Sequence, residues 1–144
     1  MLGFGKGDIK ITLDKTSFQP GEIVRGMLLL TLKNPQNAKG VRVILRAERT
    51  VSRTVYSSGV SRSQNDTEIL YQQEKWLDAE KLYPAAMLQY TFDFGIPNPL
   101  PFSQPGGFMR VFSGTGKPKW YIDAALDIPG GFDVSKKTEI KVLG

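Results

Sequence analysis

Apolar and polar residues alternate over short stretches along most of the chain. The alternation is clearest over 88–96, where Tyr, Phe, Phe and Ile occupy every second position, and it recurs over 8–13. A period of two residues is typical of β-strands with one face in the core and the other in solvent. Similar patterns predict strands over 23–33, 41–48, 50–56, 67–77, 109–112, 119–128 and 138–143. No long helical period occurs, so the pattern predicts an all-β, antiparallel, immunoglobulin-like sandwich.

Turn-forming residues separate these predicted strands. Gln19-Pro20-Gly21-Glu22 predicts a chain reversal, because Pro fixes φ and Gly accepts a positive φ. Small polar residues over 57–66 predict a mobile hairpin loop, while 34–37 and 78–87 are expected to be a turn and a connection. The chain has no repeat and no domain-sized change of composition, and its 144 residues suit one unit. We therefore predict a single domain over 1–144.

The predicted strand over 23–33 has apolar residues on both of its faces. One face carries most of them and is expected to belong to the core, whereas Met27 and Leu29 lie on the other. A second apolar face needs a cover, which a loop, the chain terminus or a partner would supply. Met27 and Leu29 are therefore candidate binding residues.

The composition removes several kinds of chemistry. The chain has no Cys and no His, which excludes disulfides, thiol catalysis, zinc–thiolate sites and histidine general bases. Asp123 and Asp127 share a strand face, but strand spacing places them about 13 Å apart, too far for a glycosidase pair. Asp93, on a strand expected to be a neighbour, would have to lie between them. We predict no catalytic residues, no metal and no cofactor.

The positive charge is concentrated in one segment. The net charge is +5; residues 34–65 hold six basic residues and one acidic residue, and the rest of the chain holds thirteen of each. Strand alternation puts Arg42 and Arg46 on one face, and Arg49 and Arg53 follow. Such a segment attracts acidic lipid, phosphopeptide or nucleic acid, although it is more typical of a well-solvated surface. It lacks the interleaved aromatic residues of stacking platforms, so nucleic acid is the less favoured ligand.

The sequence also bears on location. The first residues lack the basic and apolar regions of a signal peptide, and the longest apolar run, Met27–Leu30, is far shorter than a membrane span. The absence of Cys fits a reducing compartment. We expect a cytoplasmic protein without a membrane span.

Several segments, in order, resemble one family. The sequence SFQPGEIVRG over 17–26 resembles the x-Y/F-x-PGE-x-V-x-G opening of arrestin-like domains. Leu82-Tyr83-Pro84, followed by YTFDFGIP over 90–97, is similar to the family's L-P-x-G…F-x-F-x-L/I-P element, and 120–128 resembles a late strand. The tail from Leu126 is similar to the bacterial sporulation-control branch of that clan.

This resemblance implies a sandwich of the arrestin amino-terminal type and a non-enzymatic adaptor that binds a protein partner. Arrestins have two sandwiches, whereas this sequence is long enough for one, and Lys10 has no neighbouring lysine to complete a phosphate-sensing pair. Receptor-phosphate sensing is therefore not carried over. Two copies of the chain associating over Met27 and Leu29 are a further expectation.

Overall fold

The computed structural model describes residues 7–102, 117–130 and 133–143, apart from the side chains of 52–55, 57 and 63. These residues form strands and no helix. The strands are β1 (Gly7–Leu13), β2 (Ser17–Phe18), β3 (Ile23–Leu32), β4 (Gln36–Ala38), β5 (Gly40–Ser57), β6 (Val60–Asp78), β7 (Lys81–Tyr83), β8 (Met87–Gly95), β9 (Lys119–Asp127) and β10 (Val134–Val142).

Two sheets face each other. One contains three strands in the order β1-β3-β8, and the other contains five in the order β2-β10-β9-β5-β6. A small ladder joins β4 to β7. The described strands pair antiparallel, except that β2 runs parallel to β10. The predicted all-β sandwich is confirmed, with this short parallel pair as an addition.

The core lies between the inner faces of the two sheets. The alternation over 88–96 reflects this arrangement, because Phe92, Phe94 and Ile96 are buried. Trp120 is 2 % exposed and packs between Tyr71 and Phe102, whose ring centroids lie 5.7 and 5.8 Å from its own. No polar or charged side chain is buried among the described residues. Burial of apolar area is therefore the main force that holds the sheets together.

The predicted reversal at Gln19–Glu22 connects β2 to β3 and forms hydrogen bonds with Ile96, just after β8. The Glu22 N–H donates to the Gln19 carbonyl at 3.0 Å, and Gly21 has a φ of 92°, as the third position of a type II turn requires. The Gly21 N–H donates to the Ile96 carbonyl at 2.9 Å, and the Ile96 N–H donates to the Glu22 carbonyl at 2.9 Å. This turn therefore fixes the register of β3 against β8.

The hairpin loop predicted over 57–66 is wrong. β5 and β6 pair from Val41–Asp78 to Ser57–Val60, and only Ser58 and Gly59 form the turn. Both have a positive φ, of 52° and 79°, which suits a two-residue hairpin. β9 pairs with β5 only as far as Glu48, so the outer parts of β5 and β6 continue as a two-stranded ribbon. Small polar residues gave no alternation there because this ribbon is largely exposed.

Other boundaries differ less. β4 and β7 lie in segments predicted as a turn and a connection, because they pair only with each other over three residues. β10 begins at Val134, four residues before the predicted start at Thr138. The strand predicted over 109–112 lies outside the described residues.

A polar cluster fastens the connection between β6 and β8. The Tyr90 hydroxyl donates to Asp78 Oδ2 at 2.8 Å, Lys81 Nζ lies 3.0 Å from the same oxygen, and the Tyr83 hydroxyl donates to the Ala79 carbonyl at 2.6 Å. Burial raises the pKa of Tyr83 to about 12, helped by the Asp78 charge. Burial and the hydrogen bond to Asp78 raise the pKa of Tyr90 further. Burial opposes ionisation of Asp78, but its hydrogen bonds from Tyr90, Lys81 and Ala79 outweigh this and lower its pKa.

These shifts predict a loss of stability at high pH. The folded state keeps Tyr83 and Tyr90 protonated, so their contribution is complete below the usual tyrosine pKa of 10.0 and declines as pH rises toward the folded values. Tyr90→Phe should cost about 1 kcal/mol at neutral pH, because one hydrogen bond is lost, and should flatten the alkaline decline. Urea unfolding between pH 8 and pH 12 measures both effects. Tyr56→Phe, at a side chain that is 77 % exposed, is the control, and equal alkaline profiles for all three proteins would contradict the prediction.

Candidate binding surfaces

The outer face of the five-stranded sheet carries Arg46 at the centre of a charge network. Its Nη1 lies 3.3 Å from Glu48 Oε2 and 3.4 Å from Asp123 Oδ2, and its Nε donates to Gln72 Oε1 at 3.1 Å. Lys137 Nζ also reaches Glu48 Oε2, at 3.5 Å. The predicted outward position of Arg46 is correct, but its charge is already balanced by two carboxylates.

Carboxylates also oppose the charges of two more of the four arginines that the sequence analysis selected. Arg42 lies 3.4 Å from Glu74 and 3.9 Å from Asp133, and Arg49 Nη2 lies 2.6 Å from Glu68 Oε1. The Arg53 side chain lies outside the described residues.

The partner carboxylates lie mostly outside the basic segment, chiefly on β6 and β9. A charge count along the chain missed this neutralisation, because strand pairing rather than sequence proximity brings the acids to the arginines. The excess of +5 over residues 34–65 therefore does not appear as an equally strong surface patch.

The outer face of the three-stranded sheet carries the other two candidate residues. Met27 lies in register between Thr12 of β1 and Thr91 of β8, and Leu29 lies between Lys10 and Gln89. Met27 remains 39 % exposed, so no described part of the chain covers it fully, whereas Leu29 is half-buried.

The structure adds two residues to this face that the sequence analysis did not select. Ile23, on β3, is 43 % exposed, and Met87, opposite Thr31, is 65 % exposed. The alternation of β3 places Ile23 on the same side as Met27, which the sequence could have indicated. Met87 gave no such signal because it stood at the end of a predicted connection. We call Ile23, Met27, Leu29 and Met87 the methionine face.

Asp93 does not lie between Asp123 and Asp127. It is on β8 in the three-stranded sheet, where Lys75 Nζ contacts its Oδ1 at 3.0 Å and its carbonyl at 2.6 Å, whereas Asp123 and Asp127 are on β9 of the other sheet. The expected neighbour relation failed because consecutive strands in the chain belong to different sheets. Within the described part of the chain, no three acidic residues cluster in a way that would hold a metal ion. A search of that part for helices able to cross a bilayer finds none.

The two facing sheets define an immunoglobulin-like β-sandwich. The chain belongs to the arrestin family, since residues 8–144 match the family described as Arrestin (or S-antigen), N-terminal domain. The resemblance stated from the sequence is thereby confirmed.

Solved structures add a comparison at the level of the fold. The crystal structure of Spo0M, the sporulation control protein from Bacillus subtilis, is similar with a TM-score of 0.63 and 20 % sequence identity. The match covers 97 % of this chain and 50 % of the Spo0M chain, so this chain spans about half the length of that protein. None of the curated proteins matches the sequence.

Proposed function

We propose that this domain is a non-enzymatic adaptor that binds a protein partner through the methionine face. The observation that carries the proposal is the exposure of Met27 and Met87 on an otherwise polar sheet surface. Methionine is enriched in protein interfaces, where its flexible side chain adapts its shape to a partner. A methionine exposed on a solvated sheet gains no stabilisation from burial of its apolar area. Membership of the arrestin family and the likeness to a sporulation control protein are consistent with a regulatory role.

A second copy of the chain is the first partner to consider. The Spo0M chain is twice as long as the part that this chain matches, so a further sandwich-sized body is a reasonable occupant of the uncovered face. We propose that the domain acts as one unit in the cytoplasm, either in a homo-oligomer or with a different protein.

The test compares Met27→Asp with Ile69→Asp. A charge in the methionine face should weaken partner binding about tenfold or more, because a buried interface cannot accept an unpaired carboxylate. Ile69 is 56 % exposed and lies on β6 away from that face, so its variant controls for the added charge. Sedimentation of the purified chain measures self-association, and capture from a host lysate at high salt measures binding of another protein.

Two outcomes would count against the proposal. Equal losses for both variants would show that added charge, not the methionine face, is responsible. A monomer at high concentration that also captures no protein would leave the face without an occupant.

The alternative function is binding to acidic lipid or nucleic acid through Arg42, Arg46, Arg49 and Arg53. The ion pairs of the first three reduce the charge available for such binding. The alternative stays a prediction. It would be supported if the chain captures lipid or nucleic acid, and if both high salt and replacement of these four arginines by glutamate abolish that capture.

A further inference from the structure

A small basic cleft lies where β9 begins, beside the base of the β5–β6 ribbon. Its volume is about 280 Å³, which is at the lower limit for ligand pockets. It is lined by residues from two strands and the segment before β9: Glu48, Arg49, Thr50, Lys117, Lys119 and Tyr121.

Among the residues that the structure describes, the two lysines of this cleft have no acidic partner. All fourteen Asp and Glu side chains of the chain belong to described residues. None of them forms an ion pair with Lys117 or Lys119, in contrast to Arg42, Arg46 and Arg49. The positive charges of Lys117 and Lys119 are therefore not opposed by an ion pair with a described carboxylate.

Arg49 also lines the cleft, although Glu68 opposes its charge. Its Nη2 is bound to Glu68, but its Nε is buried and has no hydrogen-bond partner among the described groups. A buried donor without a partner is costly, and a bound acceptor would relieve that cost.

Glu48 contributes little negative field to the cleft. Its Oε2 lies 3.3 Å from Arg46 Nη1 and 3.5 Å from Lys137 Nζ, so two cations outside the cleft already oppose its charge. Lys137 is itself held 4.1 Å from the centre of the Tyr121 ring. The cleft thus holds two lysines without a described acidic partner, the ion-paired Arg49, the hydroxyls of Thr50 and Tyr121, and one carboxylate, Glu48, whose charge is opposed by cations outside the cleft.

We propose that this cleft binds a compact, doubly charged oxyanion: inorganic phosphate or the monoester group of a small phosphorylated molecule. Two lysines without a described acidic partner match the two charges of a dianion, and lysine ammonium groups bind phosphate as point charges. The small volume fits one phosphate group with a short substituent rather than a polymer. This site is distinct from the methionine face, so either proposal can fail without the other.

Titration of the full chain with sodium phosphate at constant ionic strength tests the site. Saturable binding is expected, with amide NMR shifts concentrated at residues 48–50 and 117–121. The variant Lys117→Gln/Lys119→Gln should weaken the affinity about tenfold or more, because both cations without a described acidic partner are lost. Lys136→Gln/Lys141→Gln removes the same charge from exposed positions of β10 and should bind phosphate as the wild type does. Glycerol 3-phosphate should compete with inorganic phosphate.

Three results would overturn the proposal. The first is an absence of saturable phosphate binding. The second is an equal loss in both double variants, which would mean that only net charge matters. The third is binding to vesicles that contain phosphatidic acid without any response to inorganic phosphate, which would indicate a membrane surface as the ligand.

Discussion

Replacing Trp120 with alanine is expected to lower the free energy of unfolding by about 3–5 kcal/mol, the usual cost of removing a large buried aromatic side chain. Trp120 is 2 % exposed and contacts rings from two directions, Tyr71 on β6 and Phe102 after β8. Its backbone lies opposite Ala47 on one side and Ile140 on the other, so the cavity would open in the middle of the five-stranded sheet. Urea unfolding measures the loss.

Trp76 provides a control of the same residue type. It is 50 % exposed, so Trp76→Ala removes far less buried area and should cost less than half as much. Similar losses for the two variants would mean that the packing around Trp120 is not what stabilises the sandwich.

Gly40→Ala is expected to cost about 2–5 kcal/mol, because it combines backbone strain with overpacking. A Cβ at Gly40 would lie 2.5 Å from the Asp78 carbonyl oxygen and 2.8 Å from a ring carbon of Trp76, and the residue has a φ of +153°. The carbonyl is part of the β5–β6 pairing next to a register shift between Val41 and Arg42, so it has little freedom to retreat.

Gly95→Ala is the matched control for this substitution. A Cβ at Gly95 would meet nothing within 4 Å, and that glycine has no positive φ. Thermal or urea unfolding should therefore show a large loss for Gly40→Ala and almost none for Gly95→Ala. Equal stabilities would contradict the proposed close approach at the start of β5.

The sequence predicted the sandwich because most strands have one buried face. Apolar and polar residues therefore alternate along them. β8 and β9 were predicted within a residue or so of their ends for this reason. The outer part of β5 was predicted as the strand over 50–56, but the start of β6 over 60–66 was missed. The described ribbon side chains are largely exposed, so the apolar residues of this segment do not alternate. The short pair β4 and β7 was missed because three residues carry no period.

The binding surfaces were predicted less completely. Alternation alone located Met27 and Leu29 on the outer face of β3, but Met87 reaches that face through pairing with Thr31, which only the fold reveals. The sequence located the basic segment correctly. It did not show that carboxylates on β6 and β9 form ion pairs with the arginines of this segment, because strand pairing brings them together. Nothing in the sequence was a reason to select Lys117 and Lys119, because only the fold shows that no described carboxylate pairs with them.

The β5–β6 ribbon has a practical consequence. Its nine or so residue pairs beyond Glu48 extend for roughly 30 Å at ordinary strand spacing, and its tip is the two-residue turn at Ser58 and Gly59. Extra residues inserted at that tip would add only a small loop-closure entropy and would touch no core side chain. The tip is thus a suitable place to graft a fluorescent tag, whose tumbling would report assembly of the domain while both proposed surfaces stay unmodified.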